Sequence, residues 1–192
     1  MDGENVCIFA YGQTGAGKTH TMEGPHSDFL VNDQMEIHEL SGILPRTAVY
    51  ILTEVQRLQK YIYDEIKIEI SALEIYLDQV RDLFSDQQVE LMTDIKKQVQ
   101  LKGQTWRIVS DIADFLNSIK LSAQKRVFGS NGINSHSSRS HHVFQIRING
   151  TDKLRKPRQS LLNIVDLAGS ERRINHSQVS EKTVSKSVNS QR

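Results

Sequence analysis

The stretch NVCIFAYGQTGAGKTHTM, residues 5–22, decides the fold. Asn5 to Ala10 is a short apolar run rich in strand formers and bounded by turn residues, the pattern of a buried strand in a parallel sheet. Gly12-Gln13-Thr14-Gly15-Ala16-Gly17-Lys18-Thr19 then satisfies the spacing G-x-x-x-x-G-K-[ST] in full. Its glycines let the backbone turn tightly, so that N–H groups face phosphate oxygens. Thr19 to Met22 reads as the start of a helix, whose N-terminal end adds positive potential. Lys18 would place a point charge on the β- and γ-phosphates, and Thr19 would offer its hydroxyl to Mg²⁺. A glycine-rich turn can match this pattern by accident. A strand before it and a helix after it are the context that a phosphate loop requires.

Downstream, residues 25–41 read as an irregular loop. Pro45 suits a helix's first turn, and Ala48, Ile51, Leu52, Val55 and Leu58 recur at helical spacing. Ile66, Ile68 and Ile70 alternate with charged residues, as in a strand. That run continues through Leu73, Ile75 and Leu77, with a bend expected near Ser71-Ala72. Residues 98–109 predict a small hairpin around Lys102-Gly103. Asp111 is a plausible N-cap for a helix carrying Ile112, Phe115, Leu116 and Ile119 on one face. Strands follow at Val143 to Ile148 and Ser160 to Val165, and the tail beyond Arg172 is polar. Strands alternating with helices predict an α/β layered domain with a mixed central sheet.

The chain has 192 residues, enough for one domain with a buried core, and a formal net charge of +1. That charge gives no global pull toward nucleic acid or a membrane surface. Cys7 is the only cysteine, so no internal disulfide can form, which fits a reducing intracellular compartment. No apolar run approaches the roughly 20 residues needed to span a bilayer, and the start of the chain does not read as a secretory signal.

Two further segments carry chemistry. Asn134-Ser135-His136-Ser137-Ser138-Arg139-Ser140-His141 is a polar loop by composition, yet its hydroxyls around one arginine equally suit phosphate and metal. Asp166-Leu167-Ala168-Gly169-Ser170-Glu171 closes an apolar strand. An aspartate there is where a phosphate-loop enzyme holds Mg²⁺, and it is also a common cap residue.

Taken together and in order, these segments resemble the kinesin motor family. FAYGQTGAGKTHTMEG (Phe9 to Gly24) is similar to its phosphate loop, NSHSSRSH (Asn134 to His141) to its switch I, and DLAGSE (Asp166 to Glu171) to its switch II. GILPRT (Gly42 to Thr47) and EIYLDQVRDLF (Glu74 to Phe84) resemble further signatures of the family. The resemblance runs from about Asn5 to Ser177. NVCIFAYGQTGAGKTHTMEG and ERRINHSQV are most similar to the minus-end-directed, C-terminal-motor branch.

The resemblance implies a P-loop NTPase layered fold with helices on both faces of a mixed sheet, and an ATP-hydrolysing microtubule motor using ATP and Mg²⁺. Gly12, Gln13, Thr14, Gly15, Ala16, Gly17, Lys18 and Thr19 would bind nucleotide. Thr19, Ser138 and Asp166 would serve the metal. Ser137 and Ser138 would lie near the attacking water, and Gly169 would sense the γ-phosphate. Arg139 and Glu171 would pair over it when ATP is bound. The implied partner is tubulin in microtubules, with no nucleic acid and no membrane, in the cytoplasm and cytoskeleton. Dimerisation would use only segments outside this chain.

Against the family pattern, the chain begins almost at the phosphate-loop strand and ends before the family's last core elements. The expectation is a partial motor domain that is marginal on its own. TVSKSV (Thr183 to Val188) resembles a degraded counterpart of a family motif after switch II, and Leu77 stands where the family usually has asparagine. Lys153, Arg155, Lys156 and Arg158 form a basic turn, read as a solvated hairpin tip or, more sharply, a contact to an acidic partner. Trp106 reads as a packing residue. His20, His136 and His141 lack zinc-ligand spacing.

Overall fold

Ile66, Ile68, Ile70 and Ala72 face one way from a single long strand, and Lys67, Glu69 and Ser71 face the other. That alternation organises the domain. The computed structural model describes residues 3–25, 37–95, 97, 99–128 and 138–171. Its strands are β1 (Asn5–Ala10), β2 (Tyr63–Tyr76), β3 (Gln79–Asp82), β4 (Gln88–Thr93), β5 (Val99–Lys102), β6 (Arg107–Ile108), β7 (His141–Asp152) and β8 (Pro157–Asp166). Its helices are α1 (Lys18–Met22), α2 (Ile43–Tyr61) and α3 (Ile112–Phe128). The strands lie in the order β1-β8-β7-β2-β3-β4-β5, with β6 beside β2. The β1–β8 pair is parallel and the other pairings are antiparallel, so the sheet is mixed, as expected.

The apolar face of β2 registers with the apolar face of β7, Ile70 opposite Ile146 and Ala72 opposite Phe144. Leu44, Ala48, Ile51, Leu52 and Val55 of α2 and Phe115, Leu116 and Ile119 of α3 close over this surface in one core. Phe115 stacks on Phe144 with ring centroids 6.2 Å apart. As expected, Asp111 caps α3, accepting from the Asp114 amide at 2.8 Å. The opposite sheet face carries a second, smaller apolar cluster of Leu73, Val80 and Val89 toward one end and polar groups elsewhere. There Glu69 accepts from Arg147 at 3.0 Å and Asn149 at 2.8 Å, and Arg147 lies 3.9 Å over the Trp106 ring.

The described helices α1, α2 and α3 all contribute to one core. Several expectations are corrected. The strand from Tyr63 to Tyr76 continues unbroken through Ser71-Ala72, paired to β7 without a register shift there. Its register shift lies instead at Tyr63/Glu65. The small hairpin pairs β4 with β5, so Lys102 lies inside β5, opposite Glu90, rather than in the turn. β1 is an edge strand among the described residues, paired to β8 alone, with Val6 49% and Phe9 61% exposed. An apolar run carries the signature of burial without stating how many of its sides are covered. The degraded motif at residues 183–188 and the tail lie outside the described residues.

Leu77 and Asp78 form the two-residue turn between β2 and β3, with φ of 47° and 61°. A left-handed pair at this position is the geometry that favours asparagine and glycine. It gives the family's asparagine a physical reason. Leucine there is strained, and its side chain is 76% exposed, so it gains little from packing. Leu77→Asn is expected to raise unfolding free energy by about 1 kcal/mol, measured as a higher urea midpoint at an unchanged slope.

Candidate nucleotide site

The loop after β1 is built on left-handed glycines. Gly15 and Gly17 have φ of 81° and 85°, and α1 starts directly after Gly17. Ala16 donates from its amide to the Gln13 carbonyl at 3.2 Å, which tightens the turn. Lys18 folds back over the loop, donating from Nζ to the carbonyls of Gly12 and Gln13, both at 2.9 Å. Thr14, Gly15, Gly17, Lys18, Thr19, His20 and Ser138 line a cavity of about 290 Å³. A larger cleft of about 580 Å³ lies toward the far ends of β7 and β8, near Lys67 and Arg158. It holds no orphaned buried polar atom among the described residues, whereas the site around α1 does.

Three separate segments converge on this loop. The parallel register sets Ala10 beside Asp166, so the chain leaving β8 runs alongside the chain leaving β1. The Ser170 amide donates to the Gly12 carbonyl at 3.1 Å, and the Gly169 amide donates to the Ser138 carbonyl at 2.8 Å. The Ala168 amide donates to His141 Nδ1 at 3.0 Å. At the centre, Thr19 Oγ1 donates to Asp166 Oδ2 at 2.6 Å. Asp166 is 2% exposed, and its Oδ1 is buried without a hydrogen-bond partner. A hydroxyl and a carboxylate in contact, with one acceptor oxygen to spare, form an oxygen-only donor set that fits Mg²⁺ with its retained waters.

Arg126 and His142, which no motif contains, join Glu23 and Ser140 in a buried polar cluster beside Asp166. Arg126, buried in the last turn of α3, donates from Nη1 to Asp166 Oδ2 at 2.6 Å and from Nη2 to the Ser140 carbonyl at 3.0 Å. Its Nε reaches Ser140 Oγ at 3.4 Å, and its Nη1 stands 3.9 Å from Glu23. His142 Nδ1 meets the same Glu23 carboxylate at 2.8 Å, while His142 Nε2 is buried without a partner. A signal for Arg126 was available. Extending the helical spacing of Phe115 and Ile119 reaches Ser122 and then Arg126, a charge on the core face of the helix.

The outer residues are placed as follows. Glu171 accepts from the Thr14 amide at 2.9 Å and from the Thr14 hydroxyl. These bonds, with its own backbone, hold the Glu171 carboxyl down at about 2. Arg139 is exposed, and among the described residues no ion pair joins it to Glu171. Ser138 reaches the cavity, and Ser137 lies outside the described residues, as do Asn134, Ser135 and His136.

A family model described as the kinesin motor domain matches residues 1–191. The chain is 34% identical over 190 residues to kinesin-like protein KIN-14D of Arabidopsis thaliana, covering 90% of this chain and 23% of that protein. It is 37% identical over 175 residues to kinesin heavy chain isoform 5C of Rattus norvegicus, covering 90% of this chain and 17% of that one. A solved fast kinesin aligns at TM-score 0.75 and 30% identity, covering 89% of this chain and 46% of that chain. The C-terminal motor domain of Kar3 from Candida glabrata aligns at TM-score 0.71 and 33% identity, covering 89% of this chain and 50% of that chain. The chain therefore spans about a quarter or less of these curated relatives and about half of these solved motors.

A Cβ built on Gly169 would lie 2.5 Å from Thr14 Oγ1 and as close to the Glu171 carboxylate. Gly169→Ala is therefore expected to separate Thr14 from Glu171. The bonded carboxyl is the ionised form, so in the unaltered protein these bonds persist as pH falls and are lost near about 2. In the variant, the Glu171 resonance in a carboxyl ¹³C titration should move back toward the ordinary value of 4.5. A midpoint still near 2 would contradict the assignment.

Proposed function

The chain belongs to the kinesin motor domain family, and from that premise we propose that it binds Mg·ATP in the loop from Gly12 to Thr19, hydrolyses it, and couples hydrolysis to microtubule binding and movement. The observation that carries this reading is the contact between Thr19 and Asp166 at the mouth of the phosphate loop. We place the protein on cytoplasmic microtubules, in the C-terminal-motor branch that its sequence signatures favour.

The residues divide the work. Lys18 exchanges the loop carbonyls for phosphate oxygens, and the amides from Thr14 to Thr19 line the phosphates, aided by the glycines at positions 12, 15 and 17. Thr19 and Asp166 are the residues that would hold the metal, Thr19 through its hydroxyl and Asp166 through its carboxylate. Mg²⁺, when bound, neutralises charge on the phosphate oxygens. Ser137 and Ser138 hold the attacking water, and the Gly169 amide leaves the Ser138 carbonyl for the γ-phosphate. Glu171 leaves Thr14 and pairs with Arg139, closing the site. The chemistry needs positioning and charge stabilisation more than covalent help.

A second reading is a non-motile or regulatory relative that binds microtubules without productive turnover. It is favoured by one observation, that Glu171 sits on Thr14 rather than on Arg139.

Steady-state ATP turnover, with and without microtubules, tests both. Microtubules should stimulate the unaltered protein, and Glu171→Ala should remove roughly 10²-fold or more of the stimulated rate, the scale of a lost transition-state contact. Nucleotide-independent binding with no turnover would favour the second reading. Preference for a guanine nucleotide would overturn both.

A further inference from the structure

Arg126 is the one described guanidinium that touches the strand end, the serine segment and the phosphate-loop helix together. Its Nη1 meets Asp166, its Nη2 and Nε meet the carbonyl and hydroxyl of Ser140, and Glu23, just after α1, lies within ion-pair range. Arg126 and Asp166 have side chains 3% and 2% exposed. Bringing that many charges out of water is costly unless each is paired and fixed.

The pattern of bonds at Asp166 is lopsided. Oδ2 accepts from both Thr19 and Arg126, while Oδ1 accepts from nothing. When Thr19 turns to a metal, Arg126 remains as the donor that keeps Oδ2 in place. The carboxylate cannot then swivel to offer Oδ2 to a metal-bound water and leave Oδ1 buried and unpaired.

We propose that Arg126 is a positioning residue for the metal, fixing Asp166 through Oδ2 so that Oδ1 is the oxygen offered to a water on Mg²⁺, and tying that geometry to Ser140. This rests on the nucleotide reading above. Arg126 touches neither nucleotide nor metal. Partners of this outer kind typically change metal affinity rather than creating it.

A purely structural role would require only a positive charge among Glu23 and Asp166. Lysine supplies that charge from one nitrogen. It cannot reproduce a planar fork that reaches Asp166 and both oxygens of Ser140. Arg126→Lys therefore separates charge balance from geometry.

The test is binding of a fluorescent ADP analogue to the whole protein across a Mg²⁺ titration, with a thermal melt for each variant. In the unaltered protein Mg²⁺ should tighten binding. In Arg126→Lys the half-saturating Mg²⁺ should rise roughly 10–100-fold, while binding in excess chelator stays unchanged. An unchanged Mg²⁺ midpoint in a folded Arg126→Lys overturns the proposal. Absence of Mg²⁺-tightened binding in the unaltered protein overturns the nucleotide reading, and this proposal with it. If the lysine variant fails to fold, the Arg126 side-chain N–H resonances of the unaltered, nucleotide-bound protein decide the matter. They should shift when Mg²⁺ replaces chelator, and unmoved resonances overturn the proposal.

Discussion

A threonine hydroxyl at the start of α1 donates to a carboxylate at the end of β8, across 2.6 Å. This contact depends on the parallel pairing of β1 with β8, which sets Ala10 beside Asp166. A slip of one residue would turn Asp166 to the other face of the sheet and leave the loop without its acidic partner. It depends equally on Gly17, whose left-handed φ of 85° lets α1 begin at Lys18 and so brings Thr19 under the strand end. The phosphate loop and the acidic strand end are thus one device, assembled by sheet register and a glycine turn.

Around that contact the interior is unusually polar. Glu23, Arg126, Ser140, His142 and Asp166 are all buried, next to the apolar core of α2, α3 and β2. Such groups weaken a core unless their hydrogen bonds are nearly complete. Two atoms here are not satisfied, Asp166 Oδ1 and His142 Nε2. An orphaned acceptor beside a phosphate loop is reasonable where a site is built to receive a hydrated cation. The His142–Glu23 contact anchors the end of α1 to β7, so Glu23, Arg126, Ser140, His142 and Asp166 share one set of buried bonds.

The strand–turn–helix at Gly12 to Thr19 was legible because its signal is local, eight consecutive residues whose glycines make the turn from β1 into α1. Asp166 was legible as the residue closing an apolar run. Arg126 was missed because its role exists only in three dimensions, 40 residues from Asp166. The helical spacing from Phe115 placed a charge on the core face, but spacing alone names no partner. Glu171 was expected to pair with Arg139 when ATP is bound; its carboxylate accepts from the amide and hydroxyl of Thr14, a partner that the motif's spacing does not name. The hairpin was misplaced because Lys102-Gly103 has turn chemistry, with Gly103 at φ 89°, yet the cross-strand pairing runs between β4 and β5 before it. Strand alternation was clear in β2 from Ile66 to Ile70, where Lys67 and Glu69 face the polar part of the sheet, and Arg147 over Trp106 explains what that tryptophan packs against.

The most direct measurement is a crystal structure of the protein with Mg²⁺ and a non-hydrolysable ATP analogue. The account predicts phosphates wrapped by residues 12–19, with Thr19 Oγ1 released from Asp166 and about 2.1 Å from the metal. Asp166 should stand one water away from the ion. A nucleotide bound elsewhere, or a metal held in the loop while Thr19 stays on Asp166, would contradict it.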